Sequence, residues 1–122
     1  MEKIVVRAAK TGGKKFEAVF PDGKSVRFGA AGASDYTKHK DPARMAKYVH
    51  RHGGRKTNAV APKAIHADML RVTRSAKENW SASGVKTAGF WSRWLLWSHP
   101  SLRSAVRQVN SILKGKYRVV LK

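Results

Sequence analysis

The chain has no cysteine, only seven acidic residues and only four prolines in 122 positions. Without cysteine there are no disulfides, no thiolate metal sites and no thiol nucleophile, which is compatible with a reducing compartment. No apolar run is long enough to span a bilayer, and Met1-Glu2-Lys3 leads into a strand-like run rather than a signal-like start. Neither a basic amphipathic anchor nor a lipidation motif is present, so no membrane partner is expected. The seven carboxylates are scattered at Glu2, Glu17, Asp22, Asp35, Asp41, Asp68 and Glu78, which supplies a two-metal cluster poorly.

Against those seven stand 26 Lys and Arg, for a net charge of +19. Self-repulsion on that scale disfavours a free compact chain and calls for a polyanionic partner. The cations are not a tail: seven lie between Lys3 and Arg27, eleven between Lys38 and Lys77, and eight between Lys86 and Lys122. With 42% hydrophobic residues the chain can also build a core, so residues 1–122 are expected to form one domain. A folded domain that is basic throughout points to nucleic acid contacted on several faces.

The aromatic residues are concentrated. Phe90 to Trp97 reads Phe-Trp-Ser-Arg-Trp-Leu-Leu-Trp and holds three of the four tryptophans. On a helix Phe90, Trp94 and Trp97 form one row with Trp91 and Leu95 beside it, leaving Ser92, Arg93 and Leu96 for the third side. Aromatics this dense are expected to be core rather than base-stacking platforms.

Along the chain, Ile4-Val5-Val6 reads as a strand. Phe16, Ala18 and Phe20 share a face, and Val26 and Phe28 continue it after Pro21-Asp22-Gly23-Lys24, which has the chemistry of a hairpin turn. The segment from Phe28 to Asp41 carries Gly29 and Gly32 with polar Ser34, Asp35, Thr37, Lys38, His39 and Lys40. It suits a phosphate-contacting loop, or equally a surface connection with Tyr36 in the core. Asp41-Pro42 starts a helix that Gly53 closes. Met45, Tyr48 and Val49 face inward, while Arg44, Lys47 and Arg51 form a basic stripe that Lys40 extends. After a basic connection with Arg55 and Lys56, a helix from Pro62 is expected to carry Ile65, Met69, Val72, Ala76 and Trp80 as one seam beside Arg71 and Arg74. Another helix from Pro100 turns Leu102, Val106, Val109 and Leu113 inward with Arg103 and Arg107 outward, and Tyr117 to Leu121 reads as a last strand.

These readings combine into an α+β fold: a small antiparallel sheet of N-terminal strand, hairpin and C-terminal strand, packed on three or four helices. The expected role is structural nucleic-acid binding through phosphates with little base readout. Lys38, Lys40, Arg44, Lys47, Arg51, Arg55 and Lys56 are the primary contact set, and Arg71, Arg74, Arg103 and Arg107 the secondary one. DNA is placed ahead of RNA as partner, other proteins of a large assembly are expected beside it, and no small-molecule substrate or cofactor is called for. One alternative is a ribosomal or other ribonucleoprotein subunit. A second is a metal-dependent nuclease using Asp35, His39 and Asp41, although His50 and His52 lack the spacing of a helical metal pair and no catalytic or metal-binding residue is nominated.

Two blocks carry a resemblance. The first contains Phe28-Gly29, Gly32, Ser34 to Thr37, His39 to Asp41, Arg44, Tyr48 and Arg51-His52; the second contains Glu78 to Trp80, Gly84, Thr87 to Trp94, Leu96-Trp97, Pro100 and Leu102. Together they resemble an uncharacterised family of small basic proteins encoded by large nucleocytoplasmic DNA viruses and some of their algal or protist hosts. About twenty-five residues separate Arg51-His52 from the Glu-x-Trp here, more than in that family. The resemblance implies no activity or catalytic residue, but it implies an intracellular setting in a virion or nucleoprotein particle, including genome packaging.

Overall fold

Alternation of apolar and polar residues at the chain's two ends produces a four-stranded sheet. The computed structural model describes residues 1–10 and 12–122. Strands β1 (Glu2–Ala8), β2 (Lys14–Val19), β3 (Ser25–Ala30) and β4 (Tyr117–Leu121) lie in the order β3-β2-β1-β4. The β2–β3 hairpin closes as its turn chemistry requires: Gly23 has φ 87°, and the Asp22 carboxylate accepts a bond from the Lys24 amide at 3.0 Å. Ile4, Val6, Ala18, Phe28 and Val119 are buried beneath the helices.

The α+β architecture is as expected, with β4 joined to β1. Those two strands run parallel, however, Val5 facing Val120, so the sheet is mixed rather than wholly antiparallel. Parallel neighbours need a crossover connection, and here the helical part of the chain supplies it. The last helix leads through a short turn at Gly115 (φ 87°) into β4, and Asn110 holds the strand by bonding both the N–H and the C=O of Val119.

Five α-helical segments follow the hairpin: α1 (Tyr36–His39), α2 (Pro42–Arg51), α3 (Pro62–Leu70), α4 (Ala88–Trp91) and α5 (Leu102–Ile112). Asp41 caps α2 by accepting from the Ala43 amide, with Pro42 in its first turn. Ser101 caps α5, so that helix begins at Leu102 rather than at Pro100. No helix among the described residues is long and apolar enough to cross a membrane.

The seam expected from Ile65 to Trp80 is not one helix. It ends at Leu70, Ala76 is exposed, and Trp80 is buried by a separate route. The Ser75 hydroxyl donates to the His52 carbonyl and accepts from the amides of Lys77 and Glu78, while the Ala76 amide donates to the Gly53 carbonyl. These side-chain and tertiary bonds offer the backbone an alternative to the helical ladder. Gly53 permits the contact, because its φ of 97° and lack of a side chain let residues 75–77 lie against it.

The aromatic segment is the centre of the core, but not as a regular α-helix. After α4 the chain widens into a π turn over Ser92–Leu96, which shifts the expected rows. Phe90, Trp91, Trp94, Leu95 and Leu96 are all buried, and so is Arg93 on the third side of the segment. The Arg93 guanidinium donates to the carbonyls of Trp97 (2.7 Å), Met69 (2.6 Å) and Val72 (3.2 Å). It also lies 4.4 Å from the Trp94 ring centre and 5.3 Å from that of Trp80. Burial pushes its pKa down to about 10. The three buried indole N–H groups donate to Glu78 (from Trp80), the Val85 carbonyl (from Trp91) and the Trp80 carbonyl (from Trp94).

Candidate nucleic-acid interface

Helix α2 presents its two faces as the spacing dictates. Met45, Tyr48 and Val49 are buried, and Arg44, Lys47 and Arg51 are exposed. The fold brings this helix beside the base of the β2–β3 hairpin, the loop after β3 and the aromatic segment. Between them lies a cleft of about 510 Å³ whose lining includes Lys14, Lys15, Ser34, Asp35, Arg44, Tyr48, Arg51, His52, Glu78, Ser92 and Trp97.

The charges around this cleft are divided unequally. Lys15 pairs with Asp35 at 2.5 Å, and Asp35 also accepts from the amide and hydroxyl of Thr37. Glu78 accepts from Trp80 Nε1 at 2.8 Å and meets His52 Nδ1 at 3.1 Å. Both carboxylates are therefore engaged. Among the described residues, Lys14, Arg44 and Arg51 form no ion pair. With four cations against two carboxylates the cleft is net positive, and three of the cations lie outside any ion pair, which favours an anion.

A column of rings forms one wall. His52 stacks on Tyr48 (4.1 Å between ring centres, 25° between planes), and Tyr48 on Trp97 (4.4 Å, 4°). His39 lies 5.3 Å from Trp97 on the column's far side. The Tyr48 hydroxyl is buried beside the Ser92 side chain and makes no well-formed hydrogen bond. Its pKa is raised above the usual phenol range, first by burial and next by Glu78. Burial, with Arg44 next, lowers the pKa of His39.

The other nominated residues fall into different settings. Lys38 is exposed and lines a smaller neighbouring depression with Lys15, Gly32 and Ser34. Lys40, at φ 58°, is spent as a strut: its ammonium donates to the Thr37 and Pro100 carbonyls at 3.1 and 2.6 Å. Arg55 is held by both oxygens of Asp68 at 2.9 and 3.0 Å, which lowers the Asp68 pKa to about 2. These two cations are less available than their spacing suggested, since the sequence does not tell which acceptor a long side chain will meet. Lys56 is exposed, and Arg71 and Arg74 line a separate depression with Arg55. Arg103 and Arg107 are exposed on α5 and line none of these depressions.

Lys14, Ser34, Tyr48 and Trp97 join Arg44 and Arg51 at the cleft without having been nominated. Alternation gave no signal for Lys14, since it would send Lys14 and Lys15 to opposite faces, whereas both line the cleft at the start of β2. The loop of residues 31–40 is anchored rather than loose, with Tyr36 buried and its hydroxyl 2.7 Å from His66 Nδ1. Asp35, His39 and Asp41 do not converge. His39 Nδ1 accepts from the Asp41 amide and the Asp41 carboxylate caps α2. No cluster of three metal-ligating side chains occurs among the described residues.

Residues 4–52 match a family of unknown function (DUF5754). That segment is less than half of the chain and contains most of β1 with β2, β3, α1 and α2, hence Lys14, Arg44, Tyr48 and Arg51. No curated protein and no solved structure matches the chain.

Proposed function

We propose that this protein is a structural nucleic-acid-binding component that grips phosphates through the exposed face of α2 and the adjoining cleft, with little base readout. The observation that carries this reading is the unpaired set Lys14, Arg44 and Arg51 around one cleft, on a chain of net charge +19. Lys47 extends the set along α2, and Lys38 borders the next depression. Guanidinium groups suit phosphate because their planar fork donates two parallel bonds. Arg71, Arg74, Arg103 and Arg107 provide further contacts for a strand that wraps the protein. The resemblance to small viral basic proteins favours a packaged genome, and therefore DNA, as the partner.

Fluorescence anisotropy with duplexes of unrelated sequence across a salt series tests this. Affinity should fall steeply with salt, and Arg44→Gln/Lys47→Gln/Arg51→Gln should reduce the slope by about two to three units for every sequence alike. Absence of binding at low salt would refute the reading, as would a sequence preference that survives high salt. Preferential binding of RNA over DNA would move the assignment to a ribonucleoprotein.

A further inference from the structure

We propose that the cleft beside α2 is a pocket for a phosphomonoester, the group carried at a phosphorylated nucleic-acid end or by a free nucleotide. The identity of the carrier rests on the nucleic-acid reading above; the pocket itself rests on its own geometry. Its unpaired charged groups, Lys14, Arg44 and Arg51, are all hydrogen-bond donors. Of the two carboxylates in its wall, Asp35 is paired with Lys15, and Glu78 is held by hydrogen bonds to Trp80 and His52, so the four cations of the lining leave the pocket net positive.

The second observation is Tyr48. This residue is 5% exposed and lines the cleft, and its hydroxyl is buried beside the Ser92 side chain without a well-formed hydrogen bond. A buried polar group left unmade is unusual and calls for an explanation. The ring is clamped between His52 and Trp97, so the hydroxyl is held in a fixed position. An acceptor oxygen entering the cleft would satisfy it. A ligand phosphate supplies that oxygen and meets the three cations as well.

The same stack says what the pocket does not recognise. Both faces of Tyr48 are covered, and Trp97 is packed between Tyr48 and His39. A base therefore has no open aromatic face of these two residues on which to stack. The volume of about 510 Å³ is that of a small-molecule site. Three cations and a hydroxyl suit a monoester, with its nearly double charge and three terminal oxygens, better than the singly charged diester of a continuous strand.

The test compares equal-length single strands that end in a 5′-phosphate, a 3′-phosphate or a hydroxyl, by anisotropy at fixed salt. A terminal phosphate should tighten binding about tenfold or more, as expected for at least one charge-assisted bond at one site. Tyr48→Phe and Arg44→Gln/Arg51→Gln should each diminish that preference, whereas Arg103→Gln/Arg107→Gln should weaken all strands equally. Denaturation midpoints verify that each variant is folded, and Arg44 and Arg51 are exposed enough for their replacement to leave the core intact. Competition by AMP but not adenosine supports the pocket; AMP matching a phosphorylated strand assigns it to free nucleotides, and weaker competition assigns it to strand ends. Equal affinity for all three strands with no effect of AMP would overturn the pocket while leaving general strand binding standing. Binding of AMP without binding of any strand would do the reverse.

Discussion

Replacing Arg93 with Met should destabilise the protein by about 3 kcal/mol. The guanidinium is fully buried with no carboxylate beside it, and its three hydrogen bonds all go to backbone carbonyls. Bonds from a charged donor contribute about 1.5–3 kcal/mol each, so losing three removes about 6 kcal/mol. Burial opposes this: lowering the pKa to about 10 corresponds to about 3 kcal/mol against the charged form, which methionine regains. Methionine also keeps the stem and a sulfur against Trp94 and Trp80, so little packing is lost. The net loss should lower the thermal midpoint by about 10 °C in a chain of this size. Urea unfolding followed by tryptophan fluorescence reads the change directly, since Trp80 and Trp94 flank the substituted side chain. Arg93→Lys keeps the charge but not the fork, and one ammonium is too compact to serve three carbonyls, so it should be no more stable than the Met variant. A Lys variant as stable as the parent, or a Met variant that gains stability, would refute this account of the core.

Two further outcomes follow from the same coordinates. His39 and His66 both have lowered pKa values, in each case chiefly through burial. Each binds fewer protons folded than unfolded, so stability is full above the ordinary histidine range and is lost as pH falls through it. The urea midpoint should therefore be lower at about pH 5 than at about pH 7, and His66→Gln should reduce the difference; a midpoint independent of pH over that range would contradict it. Gly53→Ala should destabilise by about 2 kcal/mol or more, because a methyl at φ 97° would meet Ser75 and the amides of Ala76 and Lys77 at 2.9 and 2.8 Å. Gly32→Ala, at φ 83° with no atom within 4 Å of the new methyl among the described residues, should lose only about 1 kcal/mol. Equal midpoints for the two alanine variants would show that the contact with residues 75–77 contributes nothing.

Signals confined to neighbouring residues were legible in the chain itself. Pro21 to Lys24 make a turn, Asp41 and Pro42 start a helix, and the alternation around Phe16, Ala18, Val26 and Phe28 makes a hairpin, because each depends on dihedral preferences and bonds within a few residues. The net charge of +19, with the need for a polyanion, is likewise a property of composition alone. The tertiary structure decided the rest. An apolar face shows that a segment is buried but not against what, so the parallel pairing of β4 with β1 and the end of α3 at Leu70 had no local sign. Arg93 reads locally as a surface cation; two carbonyls from the turn that ends α3, a third from Trp97, and the π turn make it a core residue. The same holds for the cleft. Whether a cation is free depends on where seven carboxylates come to rest, and folding sets Asp68 against Arg55 and Asp35 against Lys15 while leaving Lys14, Arg44 and Arg51 unpaired around one opening.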